Sequence, residues 1–177
     1  LSPDERLLAF VHVSAEGSRI ETIDRVSRAR STLLPGEPGA ADVLIPVGWQ
    51  DNRTLVVIAQ HSLPDWSFEA DVLCVSPDTP PRRIVAVPGG LGAEARLDPA
   101  GHNVVLVVID SDQRHNLVSV DLKDGSSRKL TRNQEAGVSI AGLRFLSDGS
   151  LIYSRLEHDE NLWSLQFNPG GGAPVTE

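Results

Sequence analysis

The sequence is poor in sulfur and in aromatic side chains. It has one cysteine, no methionine and eight aromatic side chains, namely three Trp, one Tyr and four Phe.

 The single thiol, Cys74, allows neither an intramolecular disulfide nor a cysteine-rich zinc cluster. Its place in the apolar run 71–75 predicts a buried, unreactive thiol.

Basic residues and long apolar runs are also scarce. The 16 Lys and Arg residues stand against 24 Asp and Glu residues, which gives a formal charge of -8. A chain without a positive field does not gather phosphates, so we expect no nucleic-acid partner. No stretch approaches the roughly 18 apolar residues that span a bilayer, and residues 1–10 lack the features of a secretory signal. We therefore expect no membrane insertion by this segment, and the sequence leaves its compartment open.

The sequence contains no convincing amphipathic helix, but a short unit of turn followed by apolar strand recurs. The first members of its four copies are Asp4, Asn52, Ala100 and Asp148, which are 48 residues apart each time. Each copy has a turn rich in Asp, Asn, Gly or Pro and then a β-branched or aliphatic run, which is typical of a tight corner that leads into a buried strand. An internal repeat of this length is typical of propellers and solenoids.

Further strands are predicted around each copy of this unit. A second strand follows at 19–23, 71–75, 116–120 and 161–165, and a third at 30–34, 82–87, 127–131 and 173–177. Before the turns of the last three copies lie the apolar segments 45–49, 94–97 and 143–146. Four strands per unit favour the four-stranded antiparallel blades of a β-propeller. A two-sheet sandwich is the alternative, but it does not predict a regular repeat of this length.

The sequence thus predicts an all-β chain of four blade units, each with four antiparallel strands, in a single domain over residues 1–177. The approximate units are 1–40, 41–90, 91–138 and 139–177. The first unit begins at its turn, without the strand that precedes the turn in the others. Because bare ladder edges are usually avoided, we expect this chain to be part of a longer propeller. Trp49 and Trp163 are predicted to pack between blades.

The units resemble the repeats of the TolB-like (WD40-like) β-propellers. The resemblance is carried by Ser2-Pro3-Asp4, Asp98-Pro99-Ala100-Gly101 and Ser147-Asp148-Gly149, and by the later segments 116–122, 129–131 and 161–165. It implies a platform for proteins or ligands, such as the sensor domain of a bacterial protein, or the propeller in front of a serine peptidase. It also implies a periplasmic or cell-envelope setting. None of these roles is encoded by the repeat itself.

Reactive constellations are not evident in the sequence. No Gly-X-Ser-X-Gly elbow marks a serine nucleophile, and the histidines at 12, 61, 102, 115 and 158 are spread over different units without a metal-binding spacing. A shared histidine site on one rim stays open as an alternative, as does an enzyme that uses the central channel. The stretch 89–92 reads as a linker between strands. We therefore predict no cofactor, no metal and no catalytic residue, and favour a non-catalytic chain.

The predicted functional surface is a rim of hairpin loops, because variable loops on a constant core commonly carry binding. Asp110 and Asp112 are interpreted as a solvated turn, with calcium binding as the alternative. The candidate partner-binding residues are Trp66, Asp110, Asp112, His115, His158 and Asp159. The predicted function is recognition of a protein, a peptide or a small ligand. The alternative is an accessory propeller of a hydrolase whose catalytic domain lies outside this chain.

Overall fold

The structure is a computed structural model that describes residues 1–15, 17–36, 43–65, 67–135 and 137–157. These residues form thirteen β-strands and no helix. The strands are β1 (Leu7–Ser14), β2 (Gly17–Asp24), β3 (Arg30–Leu34), β4 (Val43–Trp49), β5 (Leu55–Ser62), β6 (Phe68–Ser76), β7 (Thr79–Pro88), β8 (Gly90–Leu97), β9 (Asn103–Ile109), β10 (His115–Asp121), β11 (Ser127–Lys129), β12 (Val138–Phe145) and β13 (Leu151–Glu157).

The strands form four successive antiparallel sheets. Sheet 1 has the order β1-β2-β3, sheet 2 β4-β5-β6-β7, sheet 3 β8-β9-β10-β11 and sheet 4 β12-β13. The all-β prediction is confirmed. Four strands per unit are found in sheets 2 and 3, whereas sheet 1 has three strands and the described part of sheet 4 has two. The predicted strands at 161–165 and 173–177, and Trp163, lie outside the described residues.

The corner turns explain the period of 48 residues. Each turn is closed by a backbone hydrogen bond of 2.8 Å, donated by Ser2, Gln50, Asp98 and Leu146 to the carbonyls of Leu7, Thr54, Asn103 and Ser150. The donors are 48 residues apart, but the acceptors follow them by five, four, five and four residues. The strands after the turns are therefore offset by one residue, and the simple 48-residue overlay assigns some of their side chains to the wrong face. Leu8, Leu55, Val104 and Leu151 are structurally equivalent.

Neighbouring sheets pack face to face around aliphatic cores. Between sheets 2 and 3, the core includes Val56, Ile58, Val104 and Leu106, all with 0% exposure. Between sheets 1 and 2, Trp49 is 9% exposed among aliphatic residues, which confirms its predicted place between blades. Cys74 is a buried free thiol, as predicted, and burial raises its pKa.

The glycines at 90 and 92 are part of strand β8, so the prediction of a linker over 89–92 is wrong. Gly92 is required by close packing, because a Cβ atom there would lie 2.4 Å from Cγ1 of Val107 on the neighbouring strand. Gly89 does form the turn into β8, with φ of 107°. Glycine at position 92 thus allows β8 to approach β9 closely. We call the first strand of a four-stranded sheet, β4 in sheet 2 and β8 in sheet 3, its inner strand.

Polar contacts join equivalent parts of neighbouring sheets. The side-chain oxygen of Asn52 accepts a 3.0 Å hydrogen bond from the Asp4 amide. Glu94 on β8 accepts hydrogen bonds from the amides of Gly142 (2.9 Å) and Leu143 (2.6 Å) on β12. These two amides lie at a bulge in β12, where the pairing with β13 shifts register between Ala141 and Arg144. The Glu94 carboxylate therefore satisfies donors that the bulge removes from the ladder.

Candidate functional site

The hairpins β5-β6 and β9-β10 lie at the same end of adjacent sheets. We call the described residues 62–65, 67–68, 88–90 and 109–115 the hairpin rim. Gly89 connects its two parts, because its amide donates a 2.9 Å hydrogen bond to the Phe68 carbonyl. A Cβ atom at Gly89 would lie 2.7 Å from the carbonyl oxygen of Ile109. Backbone contacts of Gly89 thus join the β5-β6 hairpin to the β9-β10 hairpin.

The acidic turn of the rim is organised by Asp110. Its Oδ1 atom accepts hydrogen bonds of 3.0 Å from the amides of Asp112 and Arg114. Gln113 adopts φ of 59°, and its amide donates to the Asp110 carbonyl. The Asp112 carboxylate pairs with the Arg114 guanidinium. The arrangement is a turn stabilised by its own side chains, as the sequence interpretation favoured.

His115 is the first residue of β10 and lies between sheets 3 and 4. Its Nδ1 atom accepts a 3.5 Å hydrogen bond from the Ile140 amide on β12, and its carbonyl accepts one of 2.7 Å from the Asn133 side chain. His115 is partly buried. The structure therefore brings Asp110, Asp112 and His115 to one hairpin, while Trp66, His158 and Asp159 lie outside the described residues.

Two apolar side chains of the rim were not singled out from the sequence. Leu63 is 38% exposed and Phe68 is 41% exposed, at the two ends of the β5-β6 loop. A 2.8 Å hydrogen bond from the Leu63 amide to the Ser67 carbonyl closes this loop. Hydrogen bonds from Ser67 lower the pKa of Asp65, which keeps a carboxylate between the two apolar residues. The turn residues between Leu63 and Phe68 could be recognised in the sequence. The exposure of Phe68 could not, because it depends on the register in which β6 pairs with β5.

The remaining described histidines are dispersed. His12 Nδ1 lies 3.4 Å from Glu21 on sheet 1, and His61 Nε2 lies 3.5 Å from Asp71 on sheet 2. His102 lies in a corner turn, at the end of sheet 3 opposite the hairpin rim. Among the described residues, no group of three or more His, Cys, Asp or Glu side chains is placed to hold a metal ion.

Two concavities lie at the end with the corner turns. A groove of about 480 Å³ between sheets 3 and 4 is lined by residues that include Val105, Ser119, Arg128 and Phe145. In sheet 2, Arg82 is equivalent to Arg128 and donates a 3.3 Å hydrogen bond to the Leu122 carbonyl of the next sheet. The groove thus corresponds to a contact between neighbouring sheets, and we assign no ligand to it. A shallow hollow of about 550 Å³ beside Asp51 is crossed by the ion pair of Arg53 and Asp78.

The described residues contain no helix with the length and apolar character needed to cross a membrane. No protein-family model matches the sequence, and no curated protein matches it either. The comparison with solved structures does find similar folds.

The crystal structure of TolB from Acinetobacter baumannii matches with a TM-score of 0.58 and 16% sequence identity, over 88% of this chain and 39% of TolB. A puromycin-hydrolyzing peptidase from Mycobacterium tuberculosis matches with a TM-score of 0.35 and 16% identity, over 86% of this chain and 32% of the peptidase. The chain thus spans about two fifths of TolB. Successive antiparallel sheets and the match to TolB show that this chain has the TolB-like β-propeller fold.

Proposed function

We propose that this chain is a non-catalytic recognition module that binds a protein, a peptide or a small ligand through the hairpin rim. One observation supports the proposal: the exposed apolar side chains of Leu63 and Phe68 and the acidic turn 110–112 lie on the same rim, whose two hairpins are joined by backbone contacts. Aromatic side chains, including Phe, are enriched at protein interfaces, and loops on a rigid scaffold commonly carry binding residues. We further propose that residues 1–40, 41–90, 91–138 and 139–177 are four blade units of a longer propeller.

The chemistry of the rim favours a basic peptide segment with an apolar residue. Asp65, Asp110 and Asp112 supply carboxylates, and Arg114 is the basic residue paired with Asp112. An apolar partner side chain would contact Phe68, while a Lys or Arg side chain would lie beside the acidic turn. A sensor role in a larger bacterial envelope protein is consistent with this proposal.

A selection from a random peptide display library on the immobilised chain tests the proposal. We expect the enriched peptides to carry Lys or Arg together with an apolar residue, and their binding to weaken as salt increases. The Phe68→Ala and Asp112→Lys variants should each weaken binding about tenfold or more in fluorescence anisotropy, which corresponds to about 1.4 kcal/mol.

Asp78→Lys is the matched control. Like Asp112, Asp78 is an exposed turn aspartate paired with one arginine, but it lies in the β6-β7 turn of sheet 2, at the end of the sheets opposite the hairpin rim. We expect this variant to bind within about twofold of the wild type, because rim charges act over about a Debye length. Peptides that lose binding equally in both aspartate variants, or in neither rim variant, would contradict the proposed site.

A further inference from the structure

The floor of the hairpin rim, between its two hairpins, consists of Gly89 and Gly90, which are both partly exposed. The Phe68 side chain lies over Gly90, since a Cβ atom there would be 3.6 Å from Cδ2 of Phe68. Because the floor has no side chains of its own, the main chain of a ligand can approach the rim backbone closely. An extended segment fits such a floor better than a helix, whose diameter of about 10 to 12 Å keeps most of its backbone away from the surface.

The two ends of this floor differ in chemistry. On sheet 2, Phe68 supplies an apolar side chain that is 41% exposed, and on sheet 3 Asp110 and Asp112 supply carboxylates. Neighbouring sheets pack about 10 Å apart, so the apolar end and the acidic end are separated by about the same distance. A ligand that contacts both ends therefore carries its apolar and basic side chains about this far apart, on one of its faces.

The acidic end has acceptor atoms that its own turn leaves open. Oδ1 of Asp110 accepts the amides of Asp112 and Arg114, whereas its Oδ2 atom accepts no hydrogen bond from any described residue. The Asp112 side chain is 58% exposed. A guanidinium group has five N–H donors in a planar fork and can contact both carboxylates, whereas the donors of a lysine are on one nitrogen. We therefore expect the basic residue of the ligand to be arginine.

Arg114 already places a guanidinium group at the acidic end. It contacts Asp112 from within the same turn, and its side chain is 36% exposed. Exposed ion pairs of this kind contribute little to stability, so an arginine of the ligand can replace Arg114 at small cost. Arg114 therefore competes with the ligand for the Asp112 carboxylate.

We propose that the ligand of the hairpin rim is an extended segment in the polyproline II conformation, with an arginine three residues from an apolar side chain. The apolar side chain contacts Phe68, and the arginine replaces Arg114 on Asp112. In polyproline II, side chains three residues apart lie on the same face and about 9 Å from each other, which matches the distance between the two ends of the rim. This ligand class rests on the proposed binding function of the rim, to which it adds the spacing, the preference for arginine and the competition by Arg114.

A series of synthetic peptides tests the spacing. Each peptide has one leucine and one arginine, separated by none, one, two, three or four prolines, and its binding to the isotopically labelled chain is measured by NMR titration. We expect the peptide with two intervening prolines to bind at least about fivefold more tightly than those with none or four, because only its two side chains reach both ends of the rim without rearrangement. Lysine in place of the arginine should weaken binding at least about twofold.

Arg114→Gln tests the competition, and Arg53→Gln is the matched control. Arg53 is likewise paired with one exposed aspartate, Asp78, but at the opposite end of the sheets, so each variant removes one positive charge. We expect Arg114→Gln to bind the peptide with two prolines about two- to fivefold more tightly than the wild type, and Arg53→Gln to bind it within about 1.5-fold. The gain should be lost when Asp112 is also replaced by asparagine.

Failure of this ligand class and failure of the rim as a binding site give different results. If binding depends on Phe68 and Asp112 but not on the spacing, or if Arg114→Gln binds no more tightly than Arg53→Gln, the rim remains a binding site and the proposed ligand class is wrong. If no peptide binds, or if binding persists in Phe68→Ala and Asp112→Lys, both proposals are wrong. Circular dichroism and thermal unfolding show whether each variant is folded.

Discussion

The contact between sheets 1 and 2 differs from the contact between sheets 2 and 3 in how well its two sides are buried. In the second contact, Val56 and Ile58 on one side and Val104 and Leu106 on the other are all 0% exposed. In the first contact, sheet 2 contributes fully buried residues, whereas Leu7, Ala9 and Val11 of sheet 1 are only partly buried. Sheets 2 and 3 have an inner strand, β4 or β8, beside the strand that carries these residues. Sheet 1 has no described counterpart of that strand.

This difference shows that the inner strand shields the core as well as extending the ladder. Val11, Ile58 and Val107 are equivalent residues on three sheets, and only Val11, which lacks a described inner strand beside it, is exposed in part. The exposure of these equivalent residues therefore depends more on whether an inner strand lies beside them than on the residue type.

The largest expected effect concerns this pair of equivalent valines. Val107→Ala removes two methyl groups at a position with 0% exposure and should lower the free energy of unfolding by about 2 to 3 kcal/mol. Val11→Ala should cost about half as much, because Val11 already contacts water. Urea unfolding of both variants measures the difference, and equal costs would contradict a shielding role for the inner strand.

A smaller effect is expected where the inner strand approaches its neighbour. Gly92→Ala should lower the free energy of unfolding by about 1 to 3 kcal/mol, because the added methyl group overlaps Val107. Gly90→Ala is the control on the same strand, since its Cβ atom would lie 3.6 Å from Phe68 in ordinary contact. Thermal unfolding should show a lower midpoint for Gly92→Ala than for Gly90→Ala.

Glu94 connects β8 of sheet 3 with β12 of sheet 4. The Glu94→Gln substitution should lower the free energy of unfolding by about 1 to 2 kcal/mol. Glu94→Gln loses one of the two oxygen acceptors for the Gly142 and Leu143 amides. These hydrogen bonds, the one from Gly142 first, lower the pKa of Glu94 below its usual 4.5 despite partial burial.

The lowered pKa gives this contribution a definite pH dependence. The charged form is favoured by folding, so the contribution is complete above the unfolded pKa of about 4.5 and is lost as the pH falls through the folded pKa. Wild type should therefore lose more stability than Glu94→Gln when urea unfolding is repeated from about pH 6 down to about pH 3. Parallel pH profiles would show that Glu94 does not contribute in this way.

The smallest effect is expected at the link between the first two corner turns. Asn52→Ala removes an acceptor of the Asp4 amide at an exposed site, where water can replace it. The free energy of unfolding should change by less than about 0.5 kcal/mol. A larger loss in chemical unfolding would mean that this link, rather than core packing, sets the contact between sheets 1 and 2.

Much of the strand plan could be predicted from the sequence, because turn chemistry and apolar runs are local signals. The runs at 55–58 and 104–106 are inside strands, and the turn at 98–101 forms with Gly101 at φ of 72°. In the first turn Glu5 takes the equivalent position with φ of 58°, which a search for glycine does not find.

The faces of the strands and the rim contacts could not be predicted in the same way. Face assignment depends on turn length, and the turns at 50–54 and 98–103 differ by one residue. Glu94 and Gly142 are 48 residues apart, which matches the repeat, but nothing in the sequence indicates that this carboxylate accepts hydrogen bonds from the amides of the next sheet. His115 was expected near a loop, and its contact with Ile140 arises from packing between sheets.

The alternating turn lengths have a consequence for how such a chain can change. The turn at 98–103 contains one residue more than the turn at 50–54, yet Leu55 and Val104 occupy the same face of their sheets. A corner turn can therefore gain or lose a residue without moving a core side chain to the opposite face. Short insertions are an accessible route for evolution or engineering to alter this end of the molecule while the packed sheets keep their arrangement.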